Sequence, residues 1–226
     1  NDSKVTNKAV MKDQATEVNI SKVDITNAEK ELPGATLQVM DKYGNEIVKT
    51  VYGEELKWVS GNEAKIIKGL PAGEYTLRET IAPAGYSIAK DVKFTITDEL
   101  KAAETVTMKD AAIEAMISKV DITNAEKELP GAELQIMDTE GKEVVKTIFG
   151  EELKWTSAET AKQIKGLPAG EYILRETAAP NGYTIAKDVK FTVTDELKAA
   201  ETVVMENAPI EENMSKTDIT TDKELP

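Results

Sequence analysis

Between residues 18 and 110, apolar and polar positions alternate in short runs broken by Gly, Pro and Asn. A period of two with this punctuation predicts strands rather than helices. The runs fall at 18–25, 35–40, 46–52, 65–68, 74–80, 91–97 and 105–109. Between them lie turn sequences: LPG at 32–34, DKYGN at 41–45, LPAG at 70–73 and APAG at 82–85. Seven short strands at this spacing predict a β-sandwich. Residues 98–104, DELKAAE, allow one helical turn before the last strand.

The pattern then repeats. Lys22 and Lys119, Glu79 and Glu176, and Asp110 and Asn207 are each 97 positions apart, and about three-quarters of the residues in register are identical. A period near 100 is that of tandem domains, since solenoid units run to about 20–50 residues. The expected organisation is the tail of a preceding unit at 1–13, one domain at 14–111, a second at 112–210, and the head of a following unit at 211–226. On this reading the chain is an excerpt of a longer array.

Alternation also places three ionisable groups. Val18, Ile20 and Lys22 share a strand face, as do Tyr75, Leu77 and Glu79, and Val106, Met108 and Asp110. Each apolar face therefore ends in a group that titrates. The second unit repeats the positions with Lys119 and Glu176, and with the uncharged Asn207 in place of the aspartate. Polar ends reaching water at the sheet edge would explain the pattern, and so would a buried ion pair, although desolvation leaves such a pair little net stability. Asn207 cannot pair with Lys119 by charge, yet Asp and Asn both offer a side-chain carbonyl carbon to an amine. Burial favours a neutral lysine and a neutral carboxyl. Under the third reading, Lys22 attacks Asp110 with loss of water, and Lys119 attacks Asn207 with loss of ammonia. Glu79 and Glu176 would be the proton shuttles.

Composition narrows the alternatives. Forty-one acidic against 28 basic residues leave a net charge of −13, which repels nucleic acid and anionic membranes. With no Cys and no His there are no disulfides, no thiolate or imidazole metal sites and no Ser-His-Asp triad. No cofactor or metal is expected, nor any membrane insertion. A conventional enzyme is disfavoured, because the one catalytic constellation is repeated and directed at itself.

The segments KELPGATLQVMD (30–41), GLPAGEYTLRETIAPAGY (69–86) and VTMKDAA (106–112), with KELPGAELQIMD, GLPAGEYILRETAAPNGY and VVMENAP in the second unit, resemble the CnaB-type, SpaA-like or prealbumin-like, domains of Gram-positive surface adhesins and pilins. The resemblance implies an all-β chain of two tandem immunoglobulin-like sandwiches. It further implies an intramolecular isopeptide bond between first and last strands of each, Lys22 to Asp110 and Lys119 to Asn207, promoted by Glu79 and Glu176. The expected role is a cell-surface stalk, extracellular and monomeric, whose partners are neighbouring repeats of the same polypeptide, with a host ligand reserved for a distal domain. An adhesin that binds a host protein or carbohydrate directly is the alternative, with 42–45 and 59–66 as its variable stretches. Asp13 and Lys216 belong to incomplete units without a matching Glu and are expected not to react. Trp58 and Trp155 are expected to pack on the core rather than bind a glycan.

Overall fold

A computed structural model of the chain describes residues 13–99 and 102–211. It divides into two compact units, with the chain passing from one to the other at Ala112 and Ile113. The first contains β1 (Glu17–Asp24), β2 (Asn27–Glu31), β3 (Thr36–Asp41), β4 (Lys57–Val59), β5 (Lys65–Lys68), β6 (Gly73–Ile81), β7 (Val92–Ile96) and β8 (Glu104–Asp110). The second repeats this order with β9 (Glu114–Asp121), β10 (Asn124–Glu128), β11 (Glu133–Met137), β12 (Lys154–Thr156), β13 (Lys162–Lys165), β14 (Gly170–Ala178), β15 (Val189–Val193) and β16 (Glu201–Asn207).

Each unit is a sandwich of two four-stranded sheets. In one, β4, β3, β6 and β7 follow in antiparallel order. In the other, β1 is central: β8 runs parallel along one flank, while β5 and then β2 share the opposite flank. The inward residues Ile20, Leu37, Val39, Ile67, Leu77 and Met108 are at most 2% exposed and fill the space between the sheets. At about 25 cal/mol per Å² of buried apolar surface, this shared face holds the layers together. Trp58 and Trp155 pack against their respective cores, half-buried, as their sequence context predicts.

Three local expectations are corrected. Residues 46–52 form no strand; single bridges join Met40 to Ile47 and Lys49 to Glu55. The alternation there serves a looped segment that turns tightly at Thr50–Gly53, where the Gly53 N–H donates to the Thr50 carbonyl at 2.9 Å. Strands β2 and β4 carry no alternating apolar signal, and β2 is exposed over most of its length. The described residues of 98–104 show no helical turn: Asp98 and Glu99 lie in a bend, and the equivalent stretch 195–200 contains no helix.

Ser60 closes the turn at 32–34. Its hydroxyl accepts the Ala35 N–H at 2.9 Å and donates to the Leu32 carbonyl at 2.8 Å, while its own carbonyl takes the N–H of Gly34, whose φ of 100° suits glycine. Ser157 repeats the arrangement around Ala132 and Leu129. Removing the hydroxyl strands a buried donor. Ser60→Ala should lower the stability of the first domain by about 1–3 kcal/mol, read as a shift in its urea midpoint in a Lys22→Met background.

Candidate functional site

The pairing of first and last strands positions the site. In the parallel ladder Lys22 lies opposite Met108 and Asp24 opposite Asp110. Lys22 and Asp110 therefore project to the same inner face, two residues apart along it, a gap of about 6–7 Å that a lysine side chain can span. β6 of the facing sheet places Glu79 across from them, paired with Leu37 at a register irregularity.

The three side chains meet in the interior. Lys22 is 1% exposed, Glu79 4% and Asp110 0%. Lys22 Nζ donates to Asp110 Oδ1 and lies 3.0 Å from Glu79 Oε1, close enough for an ion pair but without the alignment of a hydrogen bond. The Ala89 N–H donates to Glu79 Oε2 at 2.6 Å. Burial pushes the Asp110 carboxyl up to about 7, aided by the neighbouring Glu79 and opposed by Lys22. A carboxyl of that kind is substantially protonated near neutrality, so it can lose hydroxide as water.

The second unit assembles the same groups with one change. Lys119 Nζ lies 3.6 Å from Glu176 Oε1 and donates to the Met205 carbonyl at 3.4 Å. Asn207 Nδ2 donates to Glu176 Oε1 at 3.1 Å, to Oε2 at 3.0 Å and to the Thr184 carbonyl at 2.9 Å. Its Oδ1 is buried with no hydrogen-bond partner. Three acceptors around Nδ2 fix which way the amide points. Asn207 Nδ2 rather than Oδ1 thus faces the Glu176 carboxylate. Burial holds the Lys119 amine below its usual range, against the opposing pull of Glu176, which raises the fraction present as nucleophile.

The loop following β6 and its counterpart after β14 close both sites, a role the sequence did not reveal. The Ser87 N–H donates to the Ala111 carbonyl at 2.9 Å, and Tyr86 Oη donates to Asp24 Oδ2 at 2.8 Å. Tyr86 is pushed up to about 12 by burial and by that carboxylate. Tyr183 holds Asp121 likewise at 2.7 Å. The APAGY and APNGY segments did stand out as motifs, but nothing in their spacing links the tyrosine to an aspartate 62 residues away. Met108 and Met205 are buried packing residues beside the acceptors. Asp13 is exposed, and Lys216 lies outside the described residues. Among the described residues, no cluster of acidic side chains could hold a metal ion.

A fold of paired four-stranded sheets, with its lysine strand parallel to its last strand, defines a class of self-contained β-sandwich modules. The SpaA family, described as a prealbumin-like fold domain, matches residues 16–112 and again 114–209, and the chain belongs to that family. No curated protein matches it in sequence. Among solved structures it is similar to the Bacillus anthracis TIE protein, at 24% identity and a TM-score of 0.48 over 87% of this chain and 34% of that one. It is also similar to GBS52, the minor pilin of Streptococcus agalactiae, at 16% identity and a TM-score of 0.39 over 90% of this chain and 100% of that one. The shaft pilin SpaA of Lactobacillus rhamnosus GG aligns at 15% identity and a TM-score of 0.38, over 88% and 100%. The chain thus spans about a third of the first of these structures.

Lys22→Met keeps an unbranched side chain but removes the cation that opposes burial at Asp110. The Asp110 carboxyl then stays raised above its ordinary value of 3.8. A carboxyl raised by folding contributes stability that is fully present below its unfolded pKa and is lost as pH rises through the folded one. In Lys22→Met carrying Trp155→Phe, Trp58 fluorescence should report a urea midpoint that falls as pH rises from about 4 through about 7. A level or climbing midpoint would contradict the desolvation of Asp110.

Proposed function

We propose that the chain is a stalk segment of a Gram-positive cell-surface protein, each of whose domains staples itself once by an isopeptide bond. The observation that carries this reading is the lysine amine enclosed in the interior of both units with a glutamate and with an Asp or Asn side chain, Asp110 in the first and Asn207 in the second. Burying three ionisable groups is a poor way to gain stability if they remain an ion pair. Joining Lys22 to Asp110 converts two of them into a neutral amide and leaves Glu79 as the one ionisable group of the three.

In the first domain the Lys22 Nζ lone pair attacks Asp110 Cγ. Glu79 takes a proton from the amine and delivers one to the departing oxygen, so that an amide forms and water leaves. In the second, Lys119 Nζ attacks Asn207 Cγ, Glu176 passes the proton to Nδ2, and ammonia leaves. Folding holds nucleophile and acceptor together, which supplies an effective concentration that free amino acids lack. Each site reacts once, so this is maturation and not turnover.

The bond encloses an 88-position separation of the chain. In the loop-entropy treatment this is worth about 4–5 kcal/mol. Its mechanical effect is greater, because the enclosed segment would otherwise extend by about 290 Å under load.

Intact mass is the primary test. The purified chain should lack one water and one ammonia; Glu79→Ala should restore the water and Glu176→Ala the ammonia, while full mass in the parent would refute the cross-links. Under single-molecule pulling, neither domain should release the enclosed length, whereas the Glu79→Ala domain should do so.

A second reading, a module that itself binds a host ligand, has one observation in its favour. Tyr43, Val59 and Ile66 are 74%, 64% and 54% exposed, and their counterparts are Glu140, Thr156 and Gln163. Tight binding of a host glycan or protein, abolished by Tyr43→Ala, would support it.

A further inference from the structure

Lys22 occupies a gap in its own sheet. On the flank of β1 away from β8, pairing with β5 ends at Ile20 opposite Lys65, and pairing with β2 begins at Val23 opposite Glu31. The ladder then slips, since Asp24 pairs with Asn27. The Lys22 backbone lies between the two stretches, where the flanking ladders supply no strand carbonyl for its N–H. Its carbonyl is met by the Leu32 N–H at 2.6 Å. Its N–H donates instead to a side chain, Glu31 Oε2, at 2.8 Å. The other oxygen of the same carboxylate accepts the Ser21 hydroxyl at 2.6 Å.

The second unit repeats every part. Lys119 N–H donates to Glu128 Oε2 at 2.8 Å, Ser118 Oγ donates to Glu128 Oε1 at 2.6 Å, and the Leu129 N–H meets the Lys119 carbonyl at 2.6 Å. Pairing with β13 ends at Ile117, and pairing with β10 begins at Val120.

We propose that Glu31 and Glu128 are positioning residues for the cross-link, each replacing an absent strand carbonyl so that the reactive lysine is held at a fixed height along its strand. This rests on the isopeptide reading above. The reason for placing a carboxylate there is geometric. A charged acceptor binds a backbone N–H more strongly than a neutral one and bridges two consecutive residues at once. With the gap open, the Lys22 backbone could shift along β1, and a misplacement of about 1 Å at a reacting atom can slow a step by about a hundredfold. The hydrogen bonds of both glutamates go to the main-chain N–H of the lysine and to the preceding serine hydroxyl, so both act through the main chain.

The test uses the full chain, pulse-labelled during cell-free synthesis and chased, with the joined peptides of each domain quantified by mass at successive times. Glu31→Ala should slow the Lys22–Asp110 joint by about tenfold or more and leave the Lys119–Asn207 joint at its parental rate. Glu31→Gln, whose amide oxygen can still accept the Lys22 N–H, should restore most of the rate. Ser60→Ala weakens the same domain elsewhere and should leave the rate unchanged once the domain is folded.

A parental rate in Glu31→Ala, equal slowing by Ser60→Ala, or failure of Gln to rescue would each overturn the positioning role. If Glu31→Ala does not fold, Glu31→Asp decides: withdrawing the carboxylate by one methylene should slow the joint more than Gln does, and the reverse order refutes the proposal. If neither joint forms in the parent chain, it is the isopeptide reading itself that fails.

Discussion

The constraint on which each domain depends is the enclosure of a lysine amine between two acceptor side chains at the parallel seam of its first and last strands. An amine in a dry interior must be neutralised, paired or consumed. Every other element of the site serves that requirement. β6 and β14 bring a glutamate from the opposite sheet, and the loops after them seal the cavity with a tyrosine and with one backbone N–H donated to Oε2 of that glutamate.

Much of this was visible in the residues alone. The apolar faces of β1, β6 and β8 each end in an ionisable group, and the 97-residue offset shows the triad twice with one informative change, Asp110 to Asn207. What the residues did not show depends on register. β2 reads as a solvated charge run, NAEKE, and four of its five residues are exposed, so Glu31 carries no signal that its carboxylate completes the β1 ladder. The segment 46–52 alternates like a strand because Val48 packs on the core, yet its backbone bonds go to a loop and to isolated bridges. Alternation reports which side chains are buried, and only the ladder reports what the backbone does.

The two acceptors are chemically distinct solutions in one scaffold. The carbonyl of Thr184 and both oxygens of Glu176 surround Asn207 Nδ2, a setting that suits a donor and disfavours a carboxylate. In the first domain the equivalent surroundings are met by an acid raised to about 7, which can itself carry a proton toward Glu79. A pocket rich in acceptors thus accommodates Asn as it stands, while burial in the same backbone surroundings raises the Asp carboxyl toward its protonated form against the pull of Lys22.

The parallel run of β1 beside β8 has a further consequence for how a load would travel. Under the proposed Lys22–Asp110 cross-link, tension entering at the start of β1 would cross six residues, Glu17 to Lys22, and exit at the final residue of β8. The remaining strands lie off that line and act as a sheath around it. Under that cross-link their outer surfaces would be free to diverge, as Val59 and Thr156 or Ile66 and Gln163 do, without touching the load-bearing line.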